Sequence, residues 1–142
     1  MSESSLRSIE LTRAAKGVYE VTNTRGTTMT IGTGDTDLFT PVELLLTAIA
    51  GCSAVDVDFI TSKRAEPARF AVRMTGDKVR DESGNHLENL TLTFDVTFPD
   101  DEGGEAARGV LPRAAQQSHD RLCTVSRTVE KGSPIDVRIT GS

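Results

Sequence analysis

The hydrophobic pattern along the chain changes period several times, and each change marks an element. Leu6 to Arg13 alternates loosely between apolar and polar positions, and Gly17 to Thr24 does so more clearly through Val18, Glu20 and Val21. Thr27 to Ile31 is a third short run of β-formers, set off by Arg25-Gly26 before it and Gly32-Thr33-Gly34-Asp35 after it. Three short strands separated by turn residues predict an N-terminal β-meander. The period then lengthens. From Thr40 to Arg64 the apolar residues, among them Leu44, Leu45, Leu46, Ile49, Val55, Val57 and Phe59, run almost all the way round a helix, with no wide polar face before Asp56. Thr40-Pro41-Val42-Glu43 gives that helix a capping hydroxyl, a proline at its first position and a glutamate three residues after the threonine, which is the pattern of a capping box. Lys63 and Arg64 suit the carbonyl end, and Pro67 closes the segment. A long central core helix is expected, with Asp56 and Asp58 interrupting it too much for a bilayer span.

Alternation returns in Arg69 to Arg80, where Phe70, Val72 and Met74 oppose Ala71, Arg73 and Thr75. It is clearest in Leu87 to Phe98, with Leu90, Leu92, Phe94, Val96 and Phe98 on one side and threonines and Asp95 on the other. Asp81-Glu82-Ser83-Gly84-Asn85 joins the two runs as a turn, so they predict a β-hairpin. After the Pro99-to-Gly104 break, Glu105 to Leu122 reads as a second helix, regular from near Leu111 with Pro112 in its first turn. Cys123 to Val129 adds a short helical turn that Gly132 ends, and Ile135 to Thr140 alternates as a closing strand. This order predicts an α+β fold in a single domain over residues 1–142, not an alternating parallel one.

Composition narrows the partners. The chain has 142 residues, enough for one core, and a net charge of -5. It shows no basic stripe with interleaved aromatics, so no nucleic-acid partner is expected. Met1-Ser2-Glu3-Ser4-Ser5 is polar, with no apolar core behind it, which predicts a cytoplasmic protein without a signal peptide and with no membrane partner. In that reducing compartment two cysteines suit a reactive or transient pair better than a permanent disulfide.

Cys52 lies within Ala48-Ile49-Ala50-Gly51-Cys52-Ser53-Ala54, whose small residues leave room around the sulfur. A cysteine on an apolar helix is commonly inert packing. The second cysteine, Cys123, turns the reading toward a reactive pair. His119 precedes Cys123 by four residues and so shares its helical face, close enough to influence the thiol. A metal set of Cys52, His119, Cys123 and a carboxylate lacks any short-range ligand pair of the zinc type, and no metal or cofactor is expected. Asp56, four residues from Cys52, is the wet side of the helix or, pointing the other way, a charge that raises the thiol's pKa. His86 is expected to be exposed.

Two segments carry a family resemblance. Pro41-Val42-Glu43-Leu44-Leu45-Leu46 through Ala50-Gly51-Cys52, with Ser118-His119-Asp120-Arg121-Leu122-Cys123-Thr124-Val125-Ser126, resembles the OsmC/Ohr family of osmotically inducible and organic hydroperoxide resistance proteins, and the likeness spans nearly the whole chain. It implies an intertwined homodimer with active sites at the subunit interface, acting as a thiol peroxidase on organic hydroperoxides in oxidative stress defence. It also implies that Cys52 is the peroxidatic thiol and Cys123 the resolving one. The sulfenic acid formed on the first condenses with the second to a disulfide. An external dithiol, with lipoylated protein as one source, then reduces it.

Better-characterised branches of the family place a glutamate directly after the proline, holding an arginine against the reactive cysteine. Here Val42 fills that place and Glu43 comes one residue later. At about 100° per residue, Val42 lies roughly 80° from Cys52 around a straight helix and Glu43 roughly 180° away. Glu43 therefore reads as the cap residue, with a catalytic role as the alternative. A cation is needed near Cys52, since a mid-helix cysteine gets little help from a helix N-terminus. Arg25, in the loop between the second and third strands, is the first candidate because that hairpin can reach across a dimer interface; Arg127 is the second, and either is otherwise a solvated surface residue. Leu45, Ile49 and Phe59 are the expected apolar wall for a substrate's organic tail. A second function class remains open: a non-catalytic or small-ligand-binding member of the same fold, keeping the cysteines without the activating arginine and glutamate.

Overall fold

The computed structural model describes residues 2–141, and the predicted meander is present in it. Strands β1 (Ile9–Ala15), β2 (Val18–Asn23) and β3 (Thr28–Ile31) form an antiparallel sheet in the order β1-β2-β3. The β2–β3 turn is closed by Asn23, whose Oδ1 accepts the N–H of Arg25 at 2.9 Å and of Thr27 at 3.1 Å. All of β1 is exposed, and in β3 only Ile31 is buried. This first compact unit runs to Leu45 and a second begins at Leu46.

The capping box forms as spelled. Thr40 Oγ1 accepts the Glu43 N–H at 3.2 Å, and Glu43 Oε1 accepts the Thr40 N–H at 2.9 Å. Helix α1 (Pro41–Thr61) then carries the chain into the second unit, ending before the expected Arg64. Its buried residues are Ile49, Ser53, Val57 and Thr61, a single stripe at four-residue spacing. Outside that stripe the apolar residues stay open, with Phe59 68% exposed. By length and composition alone α1 is long and apolar enough to cross a membrane, so Asp56 and Asp58 do not by themselves exclude a span, contrary to the sequence reading. Asp56 is instead used inside the unit: its Oδ2 accepts the Ser118 hydroxyl at 2.8 Å.

Strands β4 (Arg69–Asp81) and β5 (Gly84–Thr97) make the hairpin, pairing Phe70 with Val96, Val72 with Phe94 and Met74 with Leu92. Phe70 and Phe94 meet edge to face, their ring centroids 6.5 Å apart. A register shift between Thr75 and Asp77 leaves Asn89 and Leu90 opposite Gly76. This bulge is why Leu87 is out of step with the even-numbered apolar row that begins at Leu90.

Helix α2 (Glu102–Gln117) starts well before the expected Leu111. Asp101 caps it, accepting the Gly104 N–H at 2.7 Å, and Glu102 and Glu105 favour its positive end. Gly104 belongs to that first turn because a Cβ there would fall on the Pro99 carbonyl. Pro112 sits inside the helix, where it removes one N–H without ending it. Gly109 and Pro112 argue for a later start; the cap and the burial of Ala107 and Ala114 outweigh them. A π turn (Ser118–Leu122) follows, then helix α3 (Thr124–Lys131), which Gly132 ends in the left-handed region at φ 63°. The expected closing strand does not form. Residues 133–141 pair with no strand among the described residues, and Ile135, Val137 and Ile139 are exposed, the last at 93%. Alternation writes a strand, but a strand exists only where an open edge receives it.

Candidate functional site

Cys52 on α1 is half-buried, and Cys123, fully buried at 0% exposure, is the N-cap residue of α3; both are free thiols. The π turn delivers Cys123 to this place, its N–H closing a bond to the Ser118 carbonyl at 2.8 Å before the backbone becomes extended. There the sulfur acts as a helix cap. It accepts the Ser126 N–H at 3.3 Å and lies 3.2 Å from the Ser126 hydroxyl oxygen. From α1, Ser53 faces the same sulfur; it is 2% exposed and its hydroxyl has no partner of ordinary hydrogen-bond geometry.

The two thiols act on each other, and their environments push them apart. Burial pushes the Cys52 thiol up; the Val125 N–H, and more weakly the Thr124 N–H, oppose it, while the neighbouring Cys123 sulfur adds to the rise. Burial also works against ionising Cys123. The Ser126 hydroxyl, the nearby Ser53 hydroxyl, the Ser126 N–H and the Cys52 thiol together outweigh it, so the Cys123 pKa falls below the usual thiol value. Burial thus outweighs whatever help Cys52 receives from a helix N-terminus. Its own helix offers nothing at mid-length, but the first N–H groups of α3 face its sulfur.

The leading influences on both sulfurs are neutral groups. Arg25 lies exposed in the β2–β3 turn of the first unit. Arg127 donates from Nη1 to the Asp120 carbonyl at 2.8 Å, and Glu43 takes part in the α1 cap. His119 is not the neighbour of Cys123 that four-residue spacing implied. Its Nδ1 lies 3.0 Å from Asp120 Oδ1 and its Nε2 2.8 Å from Glu130 Oε1, because the wider π winding moves it off the Cys123 face. Asp120 first, then Glu130, raises its pKa. Among the described residues the group that gathers three potential metal ligands is Asp81, His86 and Glu88 at the hairpin end, which includes neither cysteine.

A cavity of about 420 Å³ lies in the second unit, walled by Met74, Leu92 and Phe94 of the hairpin, Ile49 of α1 and Val129 of α3, with His119 and Glu130 on its polar side. Of the three residues expected to face a substrate, Ile49 is on this wall; Leu45 and Phe59 are not, and both are exposed. Ser126 joins the cavity wall to the buried Cys123 sulfur. In the sequence, Ser53 reads only as a small neighbour leaving space and Ser126 only as part of the second motif, though both leave a further signal: Ser53 falls on the Ile49-Val57 stripe, and Ser126 follows Cys123 at the spacing of an N-cap and its third helical residue.

An uncharacterised protein of Mycobacterium tuberculosis is 29% identical over 119 residues, covering 82% of this chain and 84% of that protein. A solved OsmC-like protein of unknown function from Vibrio cholerae shares the fold at 14% identity, over 89% of this chain and 95% of that one, with a TM-score of 0.73. The organic hydroperoxide resistance protein OhrB of Bacillus subtilis, also 14% identical, covers 87% of this chain and 90% of its own with a TM-score of 0.54. The OsmC-like protein model matches residues 32–138, from the end of the meander to the segment after α3, and this chain belongs to that family.

Proposed function

We propose that this protein reduces organic hydroperoxides with its two cysteines, Cys52 attacking and Cys123 resolving. The observation that carries the reading is the meeting of two free thiols from distant parts of the chain at the start of α3. Access supports these roles: Cys52 is half-buried, whereas Cys123 is fully buried. Attack by the Cys52 thiolate on the terminal peroxide oxygen gives a sulfenic acid and an alcohol, and the adjacent Cys123 closes a disulfide before further oxidation. An external dithiol, such as that of a lipoylated protein, resets the pair. Arg25 is retained as the cation that a second copy of the chain brings to Cys52.

The chain works as one OsmC-like domain in a cytoplasmic homodimer. The family match runs across both compact units, and a partner gives the open apolar residues of α1 and of 135–139 something to cover. Stoichiometric cumene hydroperoxide tests the activity. Loss of both thiols per chain within seconds at neutral pH, reversed by dihydrolipoamide, is the expected result; unchanged thiols refute it. A second reading, a ligand-binding member of the family without turnover, draws on the use of Glu43 as a helix cap and on the apolar cavity beside Ser126. Under it the thiols survive the peroxide.

A further inference from the structure

We propose that Cys123, cradled by Ser53 and Ser126 against Cys52, is the proton acceptor and donor of the reaction as well as its resolving thiol, with the two serines as its positioning residues. The inference rests on the two-thiol peroxidase reading and supplies what that reading lacks within the chain, a group to take the proton from Cys52. The Ser126 N–H donates to the buried sulfur at 3.3 Å, the Ser126 hydroxyl oxygen lies 3.2 Å from it, where it accepts from a thiol and can turn to donate to a thiolate, and the buried Ser53 hydroxyl is without a hydrogen-bond partner. An unpartnered buried hydroxyl is costly beside a neutral thiol and well used beside a thiolate. The charged groups nearby are committed elsewhere. Asp56 of α1 holds Ser118, Arg127 of α3 holds the Asp120 carbonyl, and His119 of the π turn holds Asp120 and Glu130.

In this scheme the resting pair carries one proton, on Cys52, and one negative charge, on Cys123. When a hydroperoxide enters, the Cys52 proton passes to the Cys123 sulfur. The Cys52 electron pair forms the S–O bond as the O–O bond breaks, and the alkoxide that leaves takes the proton back from Cys123 to become an alcohol. Cys52 is now a sulfenic acid, two electrons oxidised, and the peroxide two electrons reduced. Cys123, again a thiolate, attacks the Cys52 sulfur; the S–S bond forms and hydroxide leaves, to be protonated by solvent. One charge on the thiol pair becomes one hydroxide, so the balance closes.

The test is a thiolate absorbance titration of the full chain, favoured by a sequence with no tryptophan and one tyrosine. The unmodified protein should show a first thiolate step below the usual thiol range, which Cys52→Ser keeps and Cys123→Ser loses. Ser53→Ala and Ser126→Ala should each raise that step by about one pH unit, the worth of one hydrogen bond to a charged group, and Ser126→Thr should restore it. The serine variants carry the test even where Cys123→Ser does not fold, as judged by circular dichroism. A low step that survives in Cys123→Ser, or one that neither serine variant moves, overturns the cradle. A peroxide-active protein without the low step overturns the relay alone, whereas a low step of the expected behaviour with no peroxide consumed overturns the relay through the failure of the peroxidase reading.

Discussion

The bond between Ser118 and Asp56 fixes the segment that delivers Cys123, and removing it should loosen both stability and thiol chemistry. Ser118 is 1% exposed, its hydroxyl reaches Asp56 Oδ2 at 2.8 Å, and its carbonyl holds the Cys123 N–H at 2.8 Å. Ser118→Ala removes a hydrogen bond to a charged acceptor and leaves the carboxylate short of a donor, a loss of about 1.5–3 kcal/mol. For a chain of this size that corresponds to a fall in Tm of roughly 3–10 °C. Because the same residue anchors the π turn, disulfide closure after one equivalent of peroxide should slow as well, leaving more Cys52 as sulfenic or sulfinic acid. The assay is a double-mutant cycle with Asp56→Ala, read by thermal unfolding at fixed protein concentration and by thiol counting. A coupling energy above about 1 kcal/mol is expected for two groups in one bond. Additive single-variant effects, or a Ser118→Ala protein with unchanged Tm, would refute the claim that this bond holds α1 to the turn.

Cys52→Ser should abolish the first reaction with cumene hydroperoxide, whereas Cys123→Ser should allow one oxidation and trap Cys52 as sulfenic or sulfinic acid; mass spectrometry decides, and the opposite pattern reverses the roles. Thr40→Ala should cost about 1 kcal/mol of stability through the α1 cap without changing thiol reactivity at neutral pH, measured by chemical denaturation and alkylation rate. His119 has a folded pKa raised by Asp120 and then Glu130, so its contribution is fully present below the ordinary histidine value and is lost as pH rises through the raised one. Tm should therefore drift down over that window above about pH 6.5, and His119→Gln should flatten the drift. Sedimentation at micromolar concentration should show two chains together; a stable folded monomer removes the proposed interface and the route by which Arg25 reaches Cys52.

What the sequence determined was local. Period-two and near-continuous apolar runs fixed the meander, α1 and the hairpin, because side-chain alternation and helical winding are properties of a few neighbouring residues. The α1 capping box was equally legible: both of its bonds join Thr40 and Glu43. The family resemblance rested on the same local runs around Cys52 and Cys123. Elements that depend on competition between signals were read less well. Gly109 and Pro112 argued against the first half of α2, and only the Asp101 cap and the burial of Ala107 and Ala114 decided for it. The alternation of Ile135, Val137 and Ile139 wrote a strand that no edge among the described residues receives. The site itself was tertiary. No spacing could show that the π turn would carry His119 away from Cys123 and toward Glu130, or that the α3 N–H groups would face a sulfur on α1, since both follow from how one helix ends and where the next begins. Ser53 and Ser126 became chemistry only when packing buried them against one thiol, where the cost of an unmatched hydroxyl depends on what lies across from it.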